Sequence, residues 1–395
     1  GVTVTFSNSG GIVAGQEQII NGLGAVANLP FAELAWFAQD KVDTGVDART
    51  ELGKAVSGIG FTGTLNLHYG LLTVDGTTAT EIKDSKQVIG KGRVASSFKF
   101  SGTSCNLFIV TSPYSAFRDL SVSSAVSLST QLPLSGTVIA VGGSNTGAYT
   151  QISNILIDGC WIGLSFLSGG TNSKVNEIDI LNAMHIGVLA GDTIADLFVS
   201  NFHIYAPRDF IVLTSVTGTF VLGETITGGT SGATALVLEV LATDELMCLV
   251  NDINFSAAET ITGGTSTASG TLSTHTFTHQ LGGIRLTNQS EGHEFVNGSV
   301  IGGKYSMTTD ALSYTKGNRP AYCKFDTVYF DSSDLGLYLD KVVSFTFSSG
   351  WISNRPGNGC DLINVEDIKF NSFDFINNWG EGLNISATAI RTKVT

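Results

Sequence analysis

The chain has 395 residues, 47 of them glycine, and its formal net charge is −13 with only 14% charged residues. This acidic balance, without runs of Lys or Arg, excludes a nucleic-acid-binding function, because nothing could neutralise the phosphates. The sequence has no stretch of 18 apolar residues, so no membrane-spanning helix is predicted.

The first 45 residues are predicted to form an N-terminal connector or cap. Asn28 before Pro30, with apolar residues spaced by three and four, indicates a short helix over residues 28–37. A second helix is predicted over residues 47–56, and both are placed to cover the open end of the strands that follow. The chain starts without Met and without a signal-peptide pattern, so we expect a fragment or a processed chain.

Short apolar strands follow at residues 63–70, 87–92, 97–100 and 107–110. The sequence Ile89-Gly90-Lys91-Gly92 lacks the Gly-Lys-Ser/Thr ending of a phosphate loop and is interpreted as part of a strand. Residues 117–122 begin a regular series of strands. The Ser-, Gly- and Thr-rich residues 123–150 are predicted to form a loop.

A repeat of 23 residues organises the C-terminal part of the chain. Gly336, Gly359 and Gly382 each open one unit, at intervals of 23 residues. Each unit contains three short apolar-x-apolar runs separated by Gly, Asn, Ser and Asp. A fixed period of this length indicates stacked units, and three short strands per unit predict an all-β fold, a parallel β-helix with three strands per rung.

Aligned rungs give two apolar columns and one polar column. The second strand of each rung is predicted to end at Ile157, Leu181, Val199, Phe295, Phe325, Phe347 and Phe370. The residues that follow are mostly short and polar, as in a tight turn: Asp158, Asn182, Ser200, Val296, Asp326, Ser348 and Asn371. The next apolar column is Ile162, Ile186, Ile204, Val300, Phe330, Ile352 and Phe375.

Residues 213–279 interrupt the period and contain their own repeat. Glu-Thr-Ile-Thr-Gly-Gly-Thr-Ser begins at Glu224 and again at Glu259, which predicts a small inserted antiparallel β domain with hairpin turns. Residues 210–213 and 283–286 are both predicted to fill one strand position of the β-helix. The predicted domains are a connector (1–45), a β-helix in two parts (46–212 and 280–395) and the inserted domain (213–279).

Five cysteines are widely spaced and form no Cys-x-x-Cys motif. They are predicted to be small buried side chains of a protein made in a reducing cytoplasm, and not a disulfide framework or zinc site. These cysteines are Cys105, Cys160, Cys248, Cys323 and Cys360.

The middle residue of each apolar-x-apolar strand is predicted to point to solvent. For the third strands these residues are Trp161, His185, His203, Ser299, Tyr329, Trp351 and Asp374. For the first strands they are Ser165, Leu189, Arg285, Tyr338, Asp361 and Asn384. Between these strands lie turn residues that include Asp334, Arg355, Trp379 and Glu381.

One flank of the last three rungs is therefore predicted to expose aromatic rings beside carboxylates. Such a strip suits sugar rings and their hydroxyls, and its candidate substrate-binding residues are Tyr329, Trp351, Trp379, Tyr338, Arg355 and Asp374. Exposed aromatic rows are unfavourable unless something covers them. The alternative is that a neighbouring subunit covers the strip.

Carboxylates on adjacent rungs are candidates for glycoside hydrolysis, because rungs lie about 4.8 Å apart and the reaction needs two carboxyl groups about 5–9.5 Å apart. The predicted catalytic pair is Asp361 and Glu381, with Asp334 as a substitute for either. The alternative is that all three are solvated turn residues.

No cofactor is predicted. His185 and His203 are predicted to lie one rung apart, but the next residue of that column is Ser299, so a metal site would lack a third ligand. A Gly-x-Ser-x-Gly motif is also missing from the sequence, so a serine hydrolase has no support.

The rung pattern over residues 46–394 without the insert, the strand at Ile89 and the polar turn column resemble bacteriophage tailspike and tail-fibre proteins with a pectate-lyase-like right-handed parallel β-helix. The insert resembles modules of phage structural proteins that contain a sequence like that of residues 223–234, Gly-Glu-Thr-Ile-Thr-Gly-Gly-Thr-Ser-Gly-Ala-Thr. The resemblance implies a homotrimer on the virion tail, attached to other tail proteins through its N-terminal part. It also implies a host surface polysaccharide as ligand, and it carries over no catalytic residue.

The predicted function is thus that of a phage receptor-binding protein that binds and depolymerises a host polysaccharide, with hydrolysis favoured over elimination. One alternative is an adhesin or structural tail fibre without catalysis. Another is a secreted pectate-lyase-like bacterial enzyme, which would favour a signal peptide and a cluster of acidic calcium ligands.

Overall fold

A computed structural model gives the structure of the protein. It describes residues 29–124, 135–142, 147–206, 209–250, 255–275, 282–310, 318–333, 335–353, 358–378 and 380–395. None of the helices in these ranges is long and apolar enough to cross a bilayer.

The N-terminal elements are short helices and strands. In chain order they are β1 (Leu29–Glu33), α1 (Ala35–Ala38), a 3₁₀ helix (Gln39–Lys41), α2 (Arg49–Gly58), β2 (Ile59–Asn66), β3 (Gly70–Val74), β4 (Thr80–Ile82), β5 (Gln87–Ile89), β6 (Ser96–Phe100), β7 (Phe108–Val110), β8 (Ala116–Ser124) and β9 (Thr137–Val141). Three longer strands follow, β10 (Gln151–Phe166), β11 (Lys174–Ala190) and β12 (Phe198–Ala206).

The remaining elements are all strands. The inserted block contains β13 (Asp209–Thr217), β14 (Thr225–Gly228), β15 (Thr234–Ala242), β16 (Glu245–Val250), β17 (Thr260–Gly263) and β18 (Ser269–His275). After it come β19 (Gly282–Thr287), β20 (Glu294–Gly302), β21 (Met307–Asp310), β22 (Lys324–Asp331), β23 (Leu337–Asp340), β24 (Thr346–Ser348), β25 (Trp351–Ser353), β26 (Cys360–Ile363), β27 (Lys369–Asn371), β28 (Asp374–Phe375), β29 (Leu383–Ile385) and β30 (Lys393–Val394).

Twenty-four strands form one continuous system of parallel pairs, arranged as three sheets. Sheet 1 contains β1, β2, β5, the first parts of β8, β10, β11, β12, β20 and β22, and then β24, β27 and β30. Sheet 2 contains β3, β6, the later parts of the same long strands, β25 and β28. Sheet 3 contains β4, β7, β9, the last parts of β10 and β11, and then β19, β21, β23, β26 and β29. This is the predicted parallel β-helix, and the prediction of the fold is confirmed.

Alternation along each strand fills the interior. In β23, Leu337 and Leu339 are buried while Tyr338 and Asp340 are half-buried on the outer face. Successive rungs also stack like side chains, because parallel strands lie about 4.8 Å apart, which is close to the preferred spacing of aromatic rings. The clearest case is a buried phenylalanine stack with centroids 4.8–5.1 Å apart: Phe295, Phe325, Phe347 and Phe370.

Sheet 1 turns into sheet 2 at a residue with positive φ, a conformation that favours short polar side chains and Gly. In successive rungs this residue is Asp119, Asn154, Glu177, Asn201, Asn297, Thr327, Ser349 and Ser372. Neighbouring rungs are linked by side chains at this corner, for example by the Nδ2 of Asn154, which donates to Oδ1 of Asp119 over 2.6 Å.

The predicted columns are correct from Val199 onward and wrong in the two preceding rungs. Val199 pairs with Val175, and Val175 pairs with Ile152, whereas Ile157 lies in register with Ile180 and Ile204. Asp158 and Asn182 therefore do not belong to the predicted turn column. Several alignments of these two rungs fit the sequence equally well, because isoleucine recurs along β10. In addition, the turn residue of β11 is Glu177, a residue type that does not indicate a turn.

The N-terminal segment departs from the prediction. Residues 29–33, predicted as helix, form strand β1, which pairs in parallel with β2. Parallel pairing therefore begins before the predicted boundary at residue 46. The free edge of β2 pairs with residues 29–33, and this pairing outweighs their local preference for helix. The second predicted helix is present as α2, which buries Leu52 and Ala55 in the core of the β-helix.

The predicted loop over residues 123–150 also contains a strand. Thr137–Val141 forms β9 of sheet 3, between β7 and β10. Val138, Ile139 and Val141 are buried, so a run of β-branched residues outweighed the polar composition around it.

The inserted block forms a closed antiparallel barrel with the strand order β13, β16, β15, β14, β17 and β18. Its buried apolar residues make a cluster separate from that of the β-helix. Antiparallel pairing begins at Asp209, and Ile211 and Leu213 are buried in the barrel. The prediction that residues 210–213 fill a β-helix strand is therefore wrong.

The sequence repeat within the barrel has a structural explanation. Oε2 of Glu259 accepts hydrogen bonds from the backbone N–H groups of Thr230 and Ser231, in the Gly-Gly-Thr-Ser turn of the other copy. Glu224 accepts the equivalent bonds from Thr265 and Ser266. Each repeat thus holds the turn of its partner, which requires a buried Glu and a Ser at matching positions in both copies.

All five cysteines are buried and free, as predicted. Burial raises the pKa of the Cys105 thiol to about 11 and holds those of Cys160 and Cys360 well above their usual range.

Candidate functional site

The outer face of sheet 3 carries one of the two predicted columns. Strand pairing places its members side by side in the order Ser165, Leu189, Arg285, Thr308, Tyr338, Asp361 and Asn384. The order of this column is as predicted, with Thr308 added between Arg285 and Tyr338, but Ser165 and Thr308 are buried and not exposed to solvent. Tyr338 and Asp361 are therefore neighbours on adjacent rungs.

The second predicted column lies on the outer face of sheet 2. Its members in register are Asp179, His203, Ser299, Tyr329, Trp351 and Asp374. The rings of Tyr329 and Trp351 are half-buried and 5.5 Å apart, at an interplanar angle of 32°. Asp374 is exposed at the end of this column.

Trp161 and His185 do not belong to that column, which corrects the prediction. They lie between sheet 2 and sheet 3, where their rings stack on each other with centroids 4.6 Å apart. His203 instead pairs with Asp179 and Ser299, so His185 and His203 lie on adjacent rungs but in different columns. Nδ1 of His203 shares a hydrogen bond of 2.6 Å with Oγ of Ser299.

The predicted single strip is thus two columns on two sheets, joined by the turns that lead from sheet 2 to sheet 3. Three of the predicted site residues in these turns, Asp334, Arg355 and Trp379, lie outside the described residues. Glu381 is described, and it is exposed in the turn before β29.

Amide side chains hold Asp361 in place. Its Oδ1 accepts hydrogen bonds of 2.8 Å from Nδ2 of Asn358 and from Nδ2 of Asn384. The same Asn358 side chain accepts a bond of 2.8 Å from the backbone N–H of Glu381. One amide therefore connects the side chain of Asp361 to the backbone of its predicted catalytic partner, while Oδ2 of Asp361 has no donor among the described residues.

Asp340 is a third carboxylate of this face that the sequence analysis missed. It follows Tyr338 by two residues on β23, and therefore points to the same side of the sheet. Burial, together with the charges of Asp340 and Asp361, raises the pKa of the Tyr338 hydroxyl above its ordinary value. The hydroxyl thus lies near both carboxylates. The sequence contained a signal for Asp340, because a residue two positions after Tyr338 on the same strand shares its face.

Tyr305 is a second residue that the sequence analysis missed. Its ring lies 5.6 Å from that of Tyr338, at an angle of 51°. Nζ of Lys304 is 5.8 Å from the centroid of Tyr305. Tyr305 precedes β21 in an irregular turn, outside every apolar-x-apolar run, so no periodic signal could have identified it.

The charges of this face are partly paired. Arg285 contacts Asp310 at 2.6 Å, and Lys341 lies 3.5 Å from Asp340, whose Oδ1 also accepts from Asn364 over 3.0 Å. In the described parts of the chain no three His, Cys, Asp or Glu side chains are close enough to hold a metal ion. The arrangement offers carboxylates and tyrosine rings, which is chemistry suited to a polyhydroxylated ligand.

No protein-family model matches the sequence, and no curated protein matches it. Among solved structures, the chain is similar to the full-length tailspike protein 2 from Escherichia coli O157:H7 bacteriophage CAB120, with a TM-score of 0.58 and 10% identity over 93% of this chain and 42% of that one. It is also similar to the enzymatically active domain of tailspike protein 2 from bacteriophage CBA120, with a TM-score of 0.54 and 10% identity over 92% of this chain and 47% of that one.

The chain spans less than half the length of these two structures. At 10% identity the likeness concerns the fold. The chain therefore has the parallel β-helix fold that these two phage tailspike structures share.

Proposed function

We propose that the chain binds a host-cell polysaccharide and cleaves it by hydrolysis on the outer face of sheet 3. One observation carries the proposal. Asp361 is oriented by two amides, lies beside Tyr338 on the next rung, and has the carboxylate of Asp340 and the backbone of Glu381 in its neighbourhood. The shared fold with tailspikes, one of which is described as an enzymatically active domain, supports it.

The spacing of these carboxylates suits glycoside hydrolysis. Asp340 and Asp361 are separated by one rung and two residues along the strand, which puts their Cα atoms about 8 Å apart. Glu381 lies in the turn before β29, where its backbone N–H donates to the Asn358 amide that also binds Asp361, and its long side chain is proposed to reach the same face. Carboxyl groups about 6.5–9.5 Å apart leave room for a water molecule and give inversion at the anomeric carbon.

In the proposed reaction one carboxylic acid donates its proton to the glycosidic oxygen as the bond to C1 breaks. The opposite carboxylate takes a proton from the water that attacks C1. Asp361 is the constant member of the pair. Glu381 is the partner predicted from the sequence, and Asp340 is the partner added by strand register.

The aromatic residues are proposed to hold the sugar chain. Tyr305 and Tyr338 flank the carboxylates on sheet 3, while Tyr329 and Trp351 extend the surface onto sheet 2. Asp374 ends that second column, and Arg355 and Trp379 are proposed from the sequence to complete it. The flat aromatic rings match the apolar faces of a sugar, and the polar side chains beside them match its hydroxyls.

The assembly proposed with this function is a homotrimer on the phage virion tail. Other tail proteins are proposed to bind the N-terminal part, residues 1–45. If a neighbouring subunit covers the sheet 2 column, the sugar chain lies between two subunits; if none does, it lies on one. The oligomeric state is therefore measured together with binding.

Single substitutions assign the catalytic partner. Asp361→Asn should lose cleavage of a tailspike-susceptible O-antigen or capsular polysaccharide while retaining binding, because charge changes with little change of shape. Glu381→Gln and Asp340→Asn are then compared by initial rate. The partner is the residue whose variant falls by about 10²-fold or more.

Asp326→Asn is the matched control, since Asp326 is exposed on the outer face of sheet 1. Its rate should equal that of the wild type. Wild-type cleavage by Asp361→Asn would refute this site. Binding without cleavage by the wild type would leave the adhesin alternative, and ultraviolet-absorbing unsaturated products would support a pectate-lyase-like enzyme.

A further inference from the structure

A ladder of residues with positive φ lines the corner between sheet 3 and sheet 1. The backbone N–H of each donates to a carbonyl in the next rung, over distances of 2.8–3.0 Å. We call this set the corner ladder, and its members are Tyr114, Tyr149, Asn172, Asp196, Gly292, Tyr322, Ser344 and Asp367. It lies at a different corner from the turns that carry Glu381.

Three tyrosines stand out in the corner ladder. Positive φ is favourable for Gly, Asn and Asp and unfavourable for bulky side chains, and most other members follow that preference. Tyr114, Tyr149 and Tyr322 have φ values of 61°, 60° and 57°. Their exposed fractions are 64%, 46% and 54%, so burial does not compensate for the backbone conformation. Burial in the described core therefore gives no reason for aromatic rings at this corner.

Tyr114 and Tyr149 form a stacked pair. Their centroids are 5.0 Å apart and their planes differ by 6°, so the stack runs along the helix axis from one rung to the next. The following rung presents Asn172, whose side chain is short. In the described part of the chain, the exposed face of the Tyr149 ring therefore lies over a shelf whose depth is about one rung, roughly 4.8 Å.

That shelf has the dimensions and chemistry of a sugar subsite. A pyranose ring placed in the Asn172 layer would stack on Tyr149 at the spacing at which Tyr149 stacks on Tyr114. The Asn172 amide supplies both a donor and an acceptor for ring hydroxyls. The next member of the ladder, Asp196, is exposed and adds a carboxylate that can accept from a hydroxyl, so the ligand chemistry is that of a hydroxylated ring without negative charge.

We propose that Tyr114, Tyr149 and Asn172 form a second, non-catalytic sugar-binding site that anchors the polysaccharide away from Asp361. It rests on the polysaccharide ligand of the proposed function and does not depend on cleavage. Such a site raises the affinity for long chains, which can occupy both positions at once, and leaves short oligosaccharides unaffected.

The test uses the full chain and an array of immobilised bacterial O-antigen and capsular polysaccharides. Tyr149→Asn removes the ring and places at positive φ a residue that suits it, so the variant should fold at least as stably as the wild type. Its affinity for the polysaccharide that the wild type binds should fall about tenfold. Release of reducing ends from a short oligosaccharide should be unchanged.

Tyr322→Asn is the matched control, because Tyr322 lies in the same ladder between Gly292 and Ser344, without a stacked partner tyrosine. Equal affinity of Tyr149→Asn and wild type would overturn the proposal, as would a wild type that binds no glycan on the array. A change of sedimentation coefficient in Tyr149→Asn would overturn it too, by making the pair a contact between copies. Glycan binding without cleavage by the wild type, lost in Tyr149→Asn, would support this site and refute only the hydrolase.

Discussion

The buried His293 should make the β-helix sensitive to mild acid. Register places it in an interior column between Leu197 and Cys323, and it is fully buried. Its Nδ1 accepts the backbone N–H of Leu197 over 3.2 Å, and its Nε2 has no partner among the described residues. Burial therefore lowers the pKa of His293 to about 3.

The sign and size of the effect follow from that pKa. An unfolded His with a pKa near 6.5 binds a proton that the folded protein refuses, so stability is complete above pH 6.5 and is lost as the pH falls towards 3. At pH 5 the loss is about 2 kcal/mol, from roughly 1.4 kcal/mol for each pH unit below 6.5. Since the group is fully buried, solvent screening does not reduce this figure.

His293→Asn removes the titrating ring and keeps an oxygen that can accept the Leu197 N–H. Free energies of unfolding would be measured by circular dichroism in urea at pH 7 and at pH 5. The wild type should lose about 2 kcal/mol more than the variant between these values. Burial also lowers the pKa of His68, which is present in both proteins and cancels in the comparison. The same pH dependence in both proteins would refute the reasoning.

Three further predictions concern the barrel and the aromatic surface. Glu259→Gln should weaken the barrel by about 1.5–3 kcal/mol, because charge-assisted bonds from Thr230 and Ser231 are lost, and hydrogen exchange should speed up in the barrel and not in the β-helix. Burial alone would raise the pKa of Glu259, but its hydrogen bonds lower the pKa overall. The stabilisation of the barrel by ionised Glu259 is therefore lost as the pH falls below the ordinary Glu range. Replacing residues 209–279, the barrel from its first strand onward, by a Gly/Ser link should leave the dichroism and thermal transition of the β-helix nearly unchanged; loss of folding would make the barrel part of the solenoid. Trp351→Ala should weaken polysaccharide binding by about 1–2 kcal/mol in calorimetry, whereas dissociation of the oligomer would identify a subunit interface instead.

The sequence predicts the fold because successive rungs repeat the same pattern of apolar-x-apolar strands and turn residues. Phe295, Phe325, Phe347 and Phe370 stack in the predicted column because each lies two residues before the corner residue with positive φ. Asp361 could be placed beside Tyr338 for the same reason, because a residue between two buried neighbours has one direction in which to point.

The failures have equally specific causes. Glu177 occupies a positive-φ corner without a turn signal, which shifted two rungs of the predicted alignment and misplaced Trp161 and His185. Tyr305 lies in an irregular turn, and its approach to Tyr338 depends on how that turn packs. Strand β1 forms because β2 offers an edge, which is a tertiary effect that local helix signals do not contain.

The most direct test of the central claim is the chemistry of the product. The wild-type protein would be incubated with O-antigen and capsular polysaccharides from a panel of bacterial strains, and new reducing ends would be followed beside ultraviolet absorbance. Hydrolysis at Asp361 predicts reducing ends without unsaturated products from at least one polysaccharide, and none from Asp361→Asn. Unsaturated ends, or equal cleavage by the two proteins, would contradict it.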